Sequence, residues 1–153
     1  MDKALDENDH IILHALSKDG RKRYRDIATQ LKVSPQTISD RVKKLETQGV
    51  IQRFTIDIDP AKIHYQIEFI CELDIDASHM EDIISILDGI TEIHVIKITT
   101  GIHDILCIGN AASIDNLHDI VEKQISLIEG VNKTYTSITL RKVKQNQILN
   151  YGT

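Results

Sequence analysis

The hydrophobic period of this chain first turns from helical to alternating near residue 60, and that change limits the folds open to it. Up to residue 48 the apolar residues recur three and four positions apart, and from Tyr65 to Asp76 they alternate with polar ones. A period near 3.6 buries one stripe of a helix, whereas a period of 2 buries one face of a strand. A helical block followed by a block built on a sheet is expected.

In the first block Leu5, Ile12, Leu13 and Leu16 mark one helix, which Asp19-Gly20 stops. Ile27, Ala28 and Leu31 mark a second, short helix. Ser34-Pro35 opens a third, because serine suits an N-cap and a proline at the first helical position lacks only an N–H that would be orphaned anyway. Ile38, Val42 and Leu45 form its apolar face, and Gly49 suits a left-handed exit. Two helices, a tight turn at residues 32–34 and a basic third helix make the layout of a helix-turn-helix. The next stretch, GVIQRFTIDIDP, carries Val50, Phe54, Ile56 and Ile58 and predicts an extended linker ending at Pro60.

From residue 65 to 76, Ile67, Phe69, Cys71, Leu73 and Ile75 alternate with Glu68, Glu72 and Asp74, the pattern of a strand with one wet face. A helix over 79–88, strands over 92–99 and 104–110, a helix over 113–128 and a strand over 132–142 are predicted to follow. LDGI at 87–90 and IEGV at 128–131 repeat one device, a glycine that closes a helix before an apolar strand start. Two such units in series give βαββαβ. The expected fold is therefore α+β, a winged-helix-like helix-turn-helix at 1–50, an extended linker strand at 51–64 and a ferredoxin-like domain at 65–153. Its helices would cover one face of the sheet, and self-association is expected to cover the other.

Charge is divided in the same way. Residues 18–53 hold ten Lys/Arg against four Asp/Glu, a balance of +6, although the whole chain is at −5. Residues 61–153 hold seven against thirteen, a balance of −6. A basic block joined to an acidic one implies that one part meets a polyanion. With Ile38, Val42 and Leu45 turned inward, Gln36, Asp40, Lys43 and Lys44 face outward, flanked by Thr37, Ser39 and Arg41. The cations are expected to contact phosphates, and Gln36, Thr37 and Ser39 to reach base edges. Ser34 caps this helix, and Arg23, Tyr24 and Arg25 would touch the backbone alongside. Asp40 is expected to neutralise Lys43 or Lys44.

The polar start MDKALDENDH shows no secretory signal, and no apolar run approaches a membrane span, so a cytoplasmic protein without membrane contact is expected. Cys71 and Cys107 stand alone in apolar runs and are expected to be buried thiols. His10 and His14 are spaced as two metal ligands on a helix, but no third ligand follows at a recognised spacing. No metal or other cofactor is implied. The end of the chain, residues 144–153, is open between packing on a neighbour and staying loose.

The run LDENDHIILHALSKDGRKRYRDIATQLKVSPQTISDRVKKLETQGVIQRFTIDIDP resembles the DNA-binding half of the Lrp/AsnC family of prokaryotic transcription factors. The resemblance is carried by Leu5-Asp6, Asp9, Ile12-Leu13, Ser34, RVKKLE at 41–46, GVI at 49–51 and Asp59-Pro60. The βαββαβ remainder is similar to that family's sensing domain. The resemblance implies a sequence-specific regulator that dimerises through its sheets, assembles to octamers and binds double-stranded DNA. It also implies a small effector, usually an amino acid, held between sensing domains. The family's loop motif corresponds here to Thr100, Gly101, Ile102, His103 and Asp104, with Thr136, Ser137 and Ile138 as pocket-lining positions. Gly101 would let amides approach a carboxylate and Asp104 would bind an ammonium. His103 and Ile105 flank Asp104 where many relatives carry an aromatic. Two other classes remain open, a sirohaem decarboxylase on a similar fold and an architectural DNA-binding protein that ignores amino acids.

Overall fold

The computed structural model describes residues 5–144, and the chain forms two compact units, one reaching Asp57 and one running from Ile58 to Val143. The chain's last residues, 145–153, on which most of the open C-terminal question falls, lie outside the described residues.

The first unit holds three helices. α1 (Glu7–Lys18) starts at Asp6, whose carboxylate accepts from the Asp9 N–H at 2.8 Å while the Asp9 carboxylate accepts from the Asp6 N–H at 3.2 Å. This reciprocal cap satisfies backbone donors that have no partner within the helix. α2 (Tyr24–Leu31) ends at Lys32, which takes a left-handed φ of 55° so that the Val33 N–H reaches back to the Ala28 carbonyl at 3.0 Å. α3 (Pro35–Thr47) begins at Ser34 and ends ahead of Gly49, whose φ of 71° lets the Val50 N–H return to the Leu45 carbonyl at 2.9 Å.

The three apolar stripes read from the sequence meet. Ile12, Leu16, Ile27, Ala28, Ile38, Val42 and Leu45 are buried together with Ala15, and Leu5, Leu13 and Leu31 pack against them.

The segment after α3 departs from expectation. Residues 52–59 join no sheet among the described residues, Phe54, Ile56 and Ile58 stay exposed, and Pro60–Ile63 is a 3₁₀ turn capped by Asp59. An alternating sequence becomes a strand only where a neighbour supplies the ladder, and none of the described residues does so.

The second unit is a four-stranded antiparallel sheet in the order β2-β3-β1-β4, built from β1 (Ile67–Ile75), β2 (Ile93–Ile98), β3 (Ile105–Ala111) and β4 (Val131–Ile138). α4 (Met80–Asp88) follows β1. α5 (Ile114–Asp119) follows β3 and runs into a π-helical turn, Ile120–Ile125, where a continuous α-helix was expected. There the Ser126 N–H reaches the Val121 carbonyl at 2.8 Å, a span of five residues. β4 stops short of the expected residue 142; in its register with β1, which begins at Ile67, no residue past 140 would face a strand partner. Ile138 pairs with Phe69, the Thr139 N–H still reaches the Glu68 carbonyl at 2.9 Å, and β1 begins at Ile67.

Phe69, Cys71, Leu73, Ile105, Cys107 and Ala111 line the helix-covered face and pack on Ile83, Leu87, Leu117, Ile120 and Ile125. Cys71 and Cys107 are free, buried and directly opposed across β1 and β3, and burial pushes the Cys107 thiol up to about 12.

Gly109 is needed for close approach: a Cβ there would lie 2.4 Å from the Phe69 ring and 2.6 Å from the Glu92 carbonyl. Neither the buried ring nor the backbone can give way cheaply. Gly109→Val should therefore destabilise the sheet unit by about 1–3 kcal/mol or more, read by chemical denaturation of the full chain. Gly101→Ala, whose nearest neighbour outside the glycine's own segment would be 3.8 Å away, should leave the curve in place.

Candidate DNA-facing helix and effector loop

α3 is two-sided. Ile38, Val42 and Leu45 are buried, while Gln36, Asp40, Lys43 and Lys44 are exposed on the opposite stripe. The Lys43 and Lys44 ammonium groups have no ion-pair or hydrogen-bond partner among the described residues, and neither does the Arg25 guanidinium of α2. The other predicted contacts are differently placed. The Ser34 hydroxyl accepts from the Thr37 N–H at 3.0 Å and lies 2.8 Å from the Thr37 hydroxyl, so both side chains serve the cap. Arg23 pairs with Asp26 at 3.0 Å, and the Tyr24 ring packs against the helical core. Ser39 is half-buried. Asp40 accepts from the Gln36 amide at 2.9 Å, rather than neutralising Lys43 or Lys44 as expected.

Arg41 is turned away from the outer stripe. Its Nη1 donates to Asp6 Oδ2 and to Asp9 Oδ1, both at 2.7 Å, and the Asp9 side chain is 2% exposed. Arg41, expected to contact a phosphate, is engaged here in an internal clamp between α3 and the capped start of α1. The Arg41 guanidinium, with help from the Asp9 N–H, holds the Asp6 carboxyl below its ordinary range, and the two carboxylates in turn raise Arg41.

In the second unit, residues 99–104 join β2 to β3. The Thr99 N–H donates to the Asp104 carbonyl at 2.9 Å and the Thr99 hydroxyl donates to the His103 carbonyl. Asp104 fastens the loop to the end of β1. Its N–H donates to the Leu73 carbonyl at 2.9 Å and its Oδ2 accepts from the Ile75 N–H at 2.9 Å, where the pairing of β1 with β4 shifts register. Thr100, Gly101 and Ile102 project into solvent, Ile102 with 92% of its surface exposed.

His103 lies inward of that tip. Its Nδ1 is 2.7 Å from Asp74 Oδ1, and its ring lies 4.3 Å from that of Tyr135. The Tyr135 hydroxyl donates to Asp74 Oδ2 at 3.3 Å, and Lys133 Nζ stands 4.7 Å from the Tyr135 ring centre. The His103 bond holds the Asp74 carboxyl below its usual range. Asp74, Lys133 and Tyr135 were not singled out in the sequence. The signal lies in register: Asp74 faces Lys133 across the β1–β4 pair, and Tyr135 is two residues on.

Thr136, Ser137 and Ile138 are not brought to the loop within one chain. They pair with Cys71, Ile70 and Phe69, two to four residues from the Leu73 carbonyl that anchors Asp104. At about 3.3 Å per residue this is roughly 7–13 Å along the sheet.

A family model described as winged helix-turn-helix DNA-binding matches residues 5–52, and one described as the Lrp/AsnC ligand binding domain matches residues 68–149. The HTH-type transcriptional regulator LrpA of Pyrococcus horikoshii is 34% identical over 140 residues, covering 92% of this chain and 99% of its own. Among solved structures, E. coli AsnC is similar with a TM-score of 0.90 at 28% identity, over 95% of this chain and 99% of that one. A feast or famine regulatory protein from M. tuberculosis, complexed with L-methionine, gives 0.88 at 25% identity over 95% and 99%.

Replacing Arg41 with methionine would strand the Asp9 carboxylate without its cation. Arg41→Met is expected to cost the helical unit about 3–5 kcal/mol in thermal unfolding, while Lys43→Met leaves it unchanged. Acid should act on the same clamp. Asp6 is held below its ordinary 3.8, so its contribution is intact above that value and disappears as the pH falls through the lower folded value. The acid transition of the helical unit should therefore move to higher pH in Arg41→Met.

Proposed function

Because the chain belongs to the Lrp/AsnC family of DNA-binding transcriptional regulators, we propose that it is a homo-oligomeric, sequence-specific regulator whose grip on DNA is set by an amino acid. Its relatives are named as transcriptional regulators, and the decarboxylase alternative is set aside. The observation that carries the DNA reading is the outer stripe of α3, where Lys43 and Lys44 are exposed and uncommitted beside Gln36. Ammonium groups so placed release counterions from phosphates and supply affinity without regard to sequence. Side chains near the amino-terminal end of such a helix reach base edges.

The effector reading places an amino acid at residues 100–104. Asp104 supports it, since Oδ2 is held by the Ile75 N–H and Oδ1, without a partner among the described residues, can take an ammonium. A methionine complex is known for the M. tuberculosis protein. Oligomerisation is supported by the face of the sheet away from α4 and α5. There Val95, Ile70, Leu106 and Ile108 lie among Glu72, Asp74, Lys97 and Lys133, a mixture suited to an interface with a second copy. Among the described residues no helix is long and apolar enough to cross a membrane.

Changing Lys43 and Lys44 to glutamate should weaken binding to all duplexes and reduce the slope of log affinity against log salt by about 2. An unchanged slope would place the DNA elsewhere. Asp104→Asn keeps a carbonyl oxygen for the Ile75 N–H but removes the charge. It is expected to abolish the calorimetric heat of whichever amino acid the wild type binds, with the unfolding midpoint unmoved. Wild-type protein giving no heat with any common amino acid would remove the effector reading.

A further inference from the structure

The Gln36–Asp40 pair carries chemistry beyond phosphate contact. Gln36 Nε2 donates to Asp40 Oδ1 at 2.9 Å, one turn along α3, and both residues are exposed on the stripe that holds Lys43 and Lys44. A carboxylate can only accept, so the amide has to turn its nitrogen, not its oxygen, toward Asp40. The two-fold ambiguity of a carboxamide side chain is thereby removed. One N–H is engaged on Asp40, while the other N–H and the carbonyl oxygen have no partner among the described residues. When Asp40 takes the N–H remote from the amide oxygen, the free edge offers a donor and an acceptor side by side.

That edge matches one base. In the major groove adenine offers the N6 donor beside the N7 acceptor, whereas guanine offers two acceptors, O6 and N7. Guanine would need both amide N–H groups, and Asp40 holds one of them. It would also bring its acceptors against the Gln36 oxygen. We infer that Gln36 reads adenine and that Asp40 is a positioning residue which fixes the Gln36 amide and disfavours guanine at the same place. The inference rests on the proposed function, in which the outer stripe of α3 meets DNA, and takes the major groove as the place of contact. It also gives a purpose to a carboxylate on a cationic face, where a charge serving affinity alone would be positive.

The test is selection of bound duplexes from a random library by the full chain, in the wild type and in Gln36→Ala, Asp40→Asn and Asp40→Ala. Both positions are exposed, so thermal unfolding should match the wild type in all three. The wild-type motif should contain a position at which adenine is preferred over guanine by about tenfold or more, within the range of one bidentate contact. Gln36→Ala should flatten that position alone. Asp40→Asn can offer Gln36 either an oxygen or a nitrogen, so the adenine-to-guanine ratio there should fall by about fivefold or more with the other positions unmoved. Asp40→Ala, which offers nothing, should show the same fall. If Asp40 acts only through its charge, both Asp40 variants bind every duplex more tightly with the ratio unchanged, and the inference is overturned. A wild-type motif insensitive to all three substitutions overturns this inference alone. A wild-type protein that selects no motif overturns the sequence-specific reading with it.

Discussion

The helical unit depends on one buried charge having an answer. Asp9 is 1% exposed on α1, and a carboxylate so placed costs several kcal/mol unless it is paired and hydrogen-bonded. It is supplied from two directions, by the Asp6 N–H on one oxygen and by Arg41 on the other. The two N–H groups of a single guanidinium nitrogen reach Asp6 and Asp9 together, so the cap of α1 and the middle of α3 are one hydrogen-bonded structure. The outer stripe of α3 is thereby fixed in angle against the rest of the unit, more firmly than Ile38, Val42 and Leu45 alone could fix it. Apolar packing tolerates a small rotation, whereas two bonds of 2.7 Å at a planar cation do not.

The same clamp divides the cations of RVKKLE into two kinds. Arg41 is held inward and its charge is matched by Asp6 and Asp9, while Lys43 and Lys44 stand outward without a partner among the described residues. A count of basic residues therefore overstates the charge that α3 offers to a polyanion. Heptad-like spacing explains why: Ile38, Val42 and Leu45 define the inward direction, and position 41 lies on the flank, where a long side chain can turn either way. The choice was made on α1, thirty-two residues earlier, by an aspartate whose burial helical periodicity cannot reveal.

The limits of the sequence reading follow the same line in both units. Helices, strands and their order were legible because Ile12, Ile27, Ile38, Phe69, Cys71 and Leu73 repeat at periods set by local geometry alone. Element ends were less so. β4 stops close to the first residues of β1, and the 52–59 segment lacks a strand partner among the described residues, both of which are facts about neighbours. At the loop, the motif located residues 100–104 but not what they lean on. Asp74, Lys133 and Tyr135 gather at His103 because β1 and β4 pair in one register, and that register is shifted at Ile75 beside the carboxylate of Asp104. Residues 136–138 were placed by analogy along the same strand, and pairing puts them farther up the sheet.

This bonding limits how a small molecule at the loop can act. The loop is already closed by Thr99 on Asp104 and His103, by Asp104 on Leu73 and Ile75, and by His103 on Asp74. A ligand arriving there has little disorder left to remove from the loop base. Ordering a floppy segment is therefore a poor source of regulatory free energy, and the exposed tip at Gly101 and Ile102 is too short to change that. A ligand shifts an equilibrium only by the difference in its affinity for the two states, about 1.4 kcal/mol for each tenfold. With the loop base fixed in either state, that difference has to arise from groups that meet the ligand in one state of assembly and not in the other. For a loop whose outermost residues face solvent in the single chain, the proposed oligomer would supply those groups from a second copy. Under the proposed function, regulation at this loop would then be inseparable from how copies associate.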